Sequence, residues 1–426
     1  MAIACLLGAC IGFGACVKGD DDKAEVNIST YVTAFGIDTI YGKYYKFSID
    51  QVNHVIFNAD SLPLGSDKFL DKIVIDTFSS SGYITSGLLD TIVQVGKVAD
   101  LTPAINKPGL TFKIVSNDFS RSQEYSLQVN VHKVDPDLAT WKNIKGLPAD
   151  FVGAKSTDQK ILIRDNELMA FLRGDLLLKS DISSEAAYSW KTYTMTGLPA
   201  DAILHSTLCY DDTLYMISKS GDLYNSVEGE VWEKNETLSG GVRTLLASFA
   251  DKLTAIKEDE GELRYCLTHA STEAWTIGEP VHEDFPIDKV SSDVYVSGTG
   301  VERAILVGMP RSEGYKTTPW MTIDGDDWGA MTTETSYYCP MIYNPNVMFY
   351  NKFFYIVGDE LDELYESMGG LVWALSTAKF QLPEEVEGHE QYALTVDDAN
   401  YIWILVIGND NEGTQLWRGR LNELNK

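Results

Sequence analysis

The chain has 426 residues, with 62 acidic side chains against 34 basic ones, a net charge of −28 and a pI near 4.5. Such a surface repels phosphate backbones and excludes nucleic acid as a partner. A hydrophobic content of 44% and an aromatic content of 11% exclude a disordered chain, and the length predicts two or more domains or one large repeat-built body.

The opening run MAIACLLGACIGFGACVKGDDDK is apolar and rich in small residues. It falls short of the roughly 20 residues that span a bilayer, so it reads as a signal h-region. Gly-Ala-Cys occurs at Gly8–Cys10 and at Gly14–Cys16. Small residues ahead of a cysteine resemble a bacterial lipobox, whose thiol becomes acylated. Cys16 is the favoured acceptor because the polar VKGDDDK follows it, and Cys10 is the second choice. That acidic run resembles the surface-export signal of Bacteroidota lipoproteins. The resemblance implies a signal and acidic tether over residues 1–23, an anchor in outer-membrane lipid through acylated Cys16, and a position facing the cell exterior. Beyond Cys16 lie Cys209, Cys266 and Cys339, an odd and widely spaced set that reads as buried free thiols rather than a disulfide framework.

Residues 24–134 are strand-like. YYKFSID and HVIFNAD carry aromatic and β-branched residues, and NADSLPLG supplies a turn. In EYSLQVNVHK, Tyr125, Leu127, Val129 and Val131 share one face, and Ser126, Gln128, Asn130 and His132 share the other. Runs of this kind predict an antiparallel β-sandwich. IVSNDFSRSQEYSLQVNV resembles the last hairpin of immunoglobulin-like domains in Bacteroidota surface lipoproteins. VDPDLATW then reads as a linker.

From residue 135 to 426 the sequence repeats. Trp141, Trp190, Trp232, Trp275, Trp328 and Trp373 stand 42 to 53 residues apart, and periods of about 40–50 residues point to propeller blades or helical arrays. Short apolar runs such as KILIRDN, DTLYMISKS and NYIWILVIG, each followed by a second strand-like run, decide for strands. GLPAD occurs at Gly146–Asp150 and at Gly197–Asp201. It reads as the loop from the fourth strand of one blade to the inner strand of the next, with Asp150 and Asp201 binding local amides. LYNSVEGEVW, LYESMGGLVW and WMTIDGDDW resemble a degenerate Asp-box, the Ser/Thr-x-Asp-x-Gly-x-x-Trp turn of sialidase-like propellers. Asp324, Gly325 and Trp328 match best with one residue missing; Glu228 and Gly369 replace the acid elsewhere. Six hairpins with only five following Trp-strands predict that the Trp141 strand completes the last blade. The expected fold is all-β: an immunoglobulin-like β-sandwich followed by a six-bladed propeller closed by the Trp141 strand. YKFSIDQVNHVIFNADSLPLGSD and YSLQVNVHK carry a resemblance to an uncharacterised Bacteroidota surface lipoprotein family of this two-domain design.

Chemistry is sparse. His54, His132, His205, His269, His282 and His389 are isolated from one another, and no His-x-x-x-His or Cys-x-x-Cys occurs, so neither a metal nor a cofactor is expected. The turns GNDNEG and DGDD offer hard oxygens without the EF-hand spacing. A sialidase-like glycoside hydrolase would need three convergent arginines, and Arg164, Arg173, Arg243, Arg264, Arg303, Arg311, Arg418 and Arg420 supply the residue type. The Arg-Ile-Pro motif that opens such propellers is absent before the first blade. The loop TTETSYYCPMIYNPNVMFYNKFFY offers Tyr337 and Tyr338 as ligand contacts, because tyrosine faces stack on sugars and populate protein interfaces. The expected function is non-catalytic binding of a glycan or surface protein, in nutrient capture. A scaffolding subunit of an outer-membrane complex is the further alternative.

Overall fold

The structure, a computed structural model, describes residues 28–86, 95–272, 274–312, 314–332, 337–377, 379–409 and 412–424. Two compact units divide between Asp135 and Pro136. Cys10 and Cys16 lie outside the described residues, and among those residues no helix is long and apolar enough to cross a membrane.

The first unit is a sandwich. One sheet is built from Lys43–Lys46, Val32–Ile40, Ile73–Ser80 and Val98–Ala99, in that order. The other runs Ser48–Asp50, Val55–Phe57, Ser122–Gln128, Leu110–Val115 and Tyr83–Ser86. Phe35 and Phe78 from the first sheet meet Phe112 from the second, with ring centroids 6.0 and 4.9 Å away. The alternation expected in EYSLQVNVHK is observed: Tyr125, Leu127, Val129 and Val131 are buried. The expectation of a wholly antiparallel sandwich needs correction, because Val55–Phe57 runs parallel to Ser126–Gln128. The intervening chain crosses into the other sheet through Ile73–Ser80 before returning. That detour is long enough to bring the later strand back in the same direction, which a tight hairpin cannot do.

Among the described residues the second unit holds six four-stranded antiparallel sheets, the blades of a propeller. Their inner strands are Gln159–Arg164, Ala202–Tyr210, Val242–Ser248, Asp288–Val296, Asn346–Tyr350 and Tyr392–Val396, here blades one to six. These strands adjoin one another in a closed cycle. Second strands such as Leu168–Leu172 and Ile402–Val406 are buried at every position, which explains their unbroken apolar sequence: each is covered by blades on both faces. Closure is by Ala139–Asn143, which pairs antiparallel with Gln415–Leu421 and places Trp141 opposite Gly419. Thr140 Oγ1 donates to Asn422 Oδ1 at 2.8 Å and Trp141 Nε1 to the Gln381 carbonyl at 2.8 Å, so the last blade lacks no strand.

Trp190, Trp232, Trp275, Trp328 and Trp373 each immediately precede the fourth strand of a blade, whereas Trp141 lies inside one. Trp232, Trp328 and Trp373 are buried. The Asp-box expectation is corrected in detail. All three turns share Ser/Thr-x-x-Gly-x-x-Trp, one residue shorter than the resembled motif, so the missing residue is not peculiar to Trp328. The hydroxyl of Ser226, Thr322 or Ser367 accepts the amide of Gly229, Gly325 or Gly370 at 2.9 Å in each case. An acid is therefore dispensable at Glu228 and Gly369. Trp232 and Trp373 then donate Nε1 to the carbonyls of Gly229 and Gly370. The three glycines have φ of 78°, 79° and 77° and abut side chains of the preceding blade.

GLPAD links blades in both copies. Asp150 Oδ1 accepts the Phe151 amide at 3.0 Å, and Asp201 Oδ2 accepts the Ser220 amide at 3.0 Å. At the seam between blades one and two, Lys179 is 7% exposed and meets Glu167, Glu228 and Glu230 at 3.2, 3.3 and 3.7 Å. The carboxylates are far more exposed than the amine, so removing the cation strands no buried charge. Lys179→Met is expected to shift stability by about 1 kcal/mol at most, read as the midpoint of urea denaturation.

Candidate functional site

The loops that enter inner strands and those that join second to third strands share one face of the propeller. On blade four they enclose a cradle of about 250 Å³ lined by His282, Asp284, Tyr315, Lys316, Trp320 and Thr332, among others. The sequence positions it through Thr317, which is buried. Its amide donates to the carbonyls of Cys339 and Pro340 at 3.1 and 3.2 Å, and its Oγ1 accepts the Ile342 amide at 2.9 Å. This clamp sets Tyr315, 69% exposed, edge-on against Tyr338 at 5.3 Å. On the other side His282 lies 5.4 Å from the Trp320 ring. The His282 Nδ1 accepts the Asp284 amide at 3.2 Å, so in the neutral ring Nε2 carries the hydrogen. The cradle thus combines aromatic rings with an ammonium, a carboxylate and hydroxyls. Its volume lies below the roughly 300–1,000 Å³ of sites for drug-sized ligands and leaves room for a single sugar ring.

At the mouth of the axial channel, Asp158 is buried between blades one and two. Its carboxylate accepts the amides of Leu204 and His205 at 2.8 and 3.0 Å, faces His205 Nδ1 at 2.6 Å, and pairs with Arg173 at 2.9 Å. Burial works to raise its pKa, but the bonds and charge of His205 and the two amides outweigh it and hold the carboxyl below its ordinary value. Among the described residues no hydroxyl or thiol bonds the other nitrogen of His205, so the pair serves as a joint between blades. Deeper in the channel, burial pulls Lys160 down to about 8 against the opposing charge of Asp293. Burial likewise pushes Asp293 up to about 6, despite the Phe349 and Val294 amides and Lys160.

Of the two expected tyrosines, Tyr338 reaches the cradle as the partner of Tyr315, whereas Tyr337 is 59% exposed and its carbonyl accepts the Trp373 amide of blade five. Arg418 and Arg420 meet over the Tyr401 ring, and among the described residues no third candidate arginine joins them. Arg164, Arg173, Arg243, Arg264 and Arg418 are each taken by a separate carboxylate. Burial pushes the thiols of Cys266 and Cys339 up to about 12 and raises that of Cys209. Among the described residues no cluster of three metal-ligating side chains forms. Sequence reasoning missed Tyr315 and the Asp158 joint. The signal for Tyr315 was an aromatic amid the turn residues of GYKTTP; Asp158 had none, because its partners lie 46 and 47 positions away.

No curated protein matches the sequence. Among solved structures, the chain is similar to an auxiliary nutrient binding protein from Bacteroides ovatus, at 9% identity and a TM-score of 0.45, over 82% of this chain and 94% of that one. A protein of the same description from Bacteroides thetaiotaomicron gives 9%, 0.44, 82% and 93%. The SapL1 lectin, solved with alpha methyl fucoside, gives 9%, 0.42, 60% and 90%. Each is a likeness of chain path that carries no site residue across. Family models match both units, the domain of unknown function (DUF6242) N-terminal domain over residues 20–129 and the DUF6242 beta propeller domain over residues 135–425, and the chain belongs to the DUF6242 family.

Proposed function

We propose that the protein is a non-catalytic binding module of the cell surface, tethered by lipid at Cys16, that takes a glycan on the blade-four cradle. The observation that supports this reading is the exposed Tyr315 ring, braced by Tyr338 beside a small polar hollow. A sugar offers one apolar C–H face for such a ring and hydroxyls for His282, Asp284 and Lys316. The scattered arginines favour binding over sialidase-type chemistry.

The test is a glycan array and a hydrolysis screen on the chain from Asp20 onward. Retention of a glycan without turnover is the expected result. Tyr315→Ala should weaken that retention roughly tenfold, equivalent to about 1.4 kcal/mol, with thermal stability unchanged because the ring is exposed. Turnover of any glycoside, or retention indifferent to Tyr315→Ala, would overturn the reading.

A further inference from the structure

The opposite face of the propeller, formed by the hairpins that end inner strands and enter fourth strands, carries a larger feature. Between blades four and five lies a groove of about 910 Å³. Its wall is the stacked pair Tyr295 and Phe349, with centroids 4.5 Å apart, and Phe354 edge-on to Tyr295 at 5.0 Å. Met321, Met331 and Met368 complete the apolar lining. Thioether chains adapt to ligand shape more readily than branched ones, and Met368 is 74% exposed at the rim.

One charge stands out in this lining. Arg303 stands opposite Tyr295 on the adjacent strand, its charge beside the phenol. Among the described residues it meets no carboxylate, unlike Arg164, Arg173, Arg243, Arg264 and Arg418. Asp324, at the rim, is already spent on the Asp326 and Asp327 amides of its own turn. The remaining rim charges, Asp327 and Lys352, are opposite in sign. A guanidinium with no carboxylate partner in an apolar groove selects a ligand with both characters, because a neutral apolar guest leaves its charge uncompensated and a cation is repelled.

We infer that this groove binds a small apolar carboxylate, its anionic head on Arg303 and its body between the Tyr295–Phe349 wall and the methionines. The site is separate from the cradle and takes a different class of ligand. The test uses the intact protein with N-phenyl-1-naphthylamine as a neutral fluorescent reporter, displaced by decanoate, 3-phenylpropanoate, decanol or decylammonium. Decanoate should displace at least tenfold more strongly than decanol or decylammonium. The comparison with 3-phenylpropanoate tells whether aliphatic or aromatic acids are preferred. Arg303→Met should erase the preference for the acid while keeping the reporter. Met368→Glu, at an exposed position, should weaken decanoate at least fivefold by setting a like charge at the entrance. Failure of the reporter to bind, equal displacement by acid and alcohol, or indifference to Met368→Glu would each overturn the inference. None of these outcomes bears on glycan retention at blade four.

Discussion

Asp158→Ala is expected to cost the propeller about 3–5 kcal/mol, because two amides lose their acceptor at roughly 1–3 kcal/mol each and His205 loses its partner at once. Arg173 adds little, since it is part-exposed and keeps the Ala202 carbonyl. Those donors belong to the joint between blades one and two, so the loss opens a seam rather than a surface. Asp158→Asn keeps an acceptor and should cost less. The wild-type protein should also show the matching pH dependence. A carboxyl held below its ordinary value in the folded state stabilises fully above that value, 3.8, and loses its contribution as pH falls through the lower folded value. Urea denaturation followed by tryptophan fluorescence isolates the effect, because all nine tryptophans lie beyond residue 140. A shift of less than about 1 kcal/mol for Asp158→Ala would mean that the amides find other acceptors.

Gly325→Ala should be nearly as costly. The turn needs φ of 79°, which costs an alanine roughly 1–2 kcal/mol. Its Cβ would also sit 2.6 Å from Thr254 Cγ2 and 3.0 Å from Phe249 Cε2 of blade three, an overpacking worth about 1–3 kcal/mol. Together the loss is about 2–5 kcal/mol. Gly240→Ala separates the two contributions: that glycine has φ of 91° but open space around its Cβ position, and should lose only the backbone share of roughly 1–2 kcal/mol. Equal losses in the two variants would show that the turn does not bear on the neighbouring blade.

The tryptophan spacing revealed the blades because each indole stands at one fixed point of its sheet, just ahead of the fourth strand in five of the six. Counting hairpins against those indoles also exposed the closing strand. Both features repeat, and repetition survives in a linear record. The parallel pair in the sandwich does not repeat, and nothing in HVIFNAD distinguishes a parallel neighbour from an antiparallel one. The candidate site was barely legible. Tyr337 and Tyr338 drew notice as aromatics in a long loop, but Tyr315 joins Tyr338 through the Thr317 clamp, a contact made by three-dimensional folding. Arg303 reads like any other arginine until the partners of the others are known.

Closure by Ala139–Asn143 also sets a timetable. That segment emerges from the ribosome well before Gln415–Leu421, so blade six stays unfinished until almost the whole propeller has been synthesised. A stop codon ahead of Gln415 would remove a shared zipper rather than a dispensable tail. The nascent protein would then present bare hydrogen-bonding edges at both sides of the gap, inviting chaperone capture or aggregation.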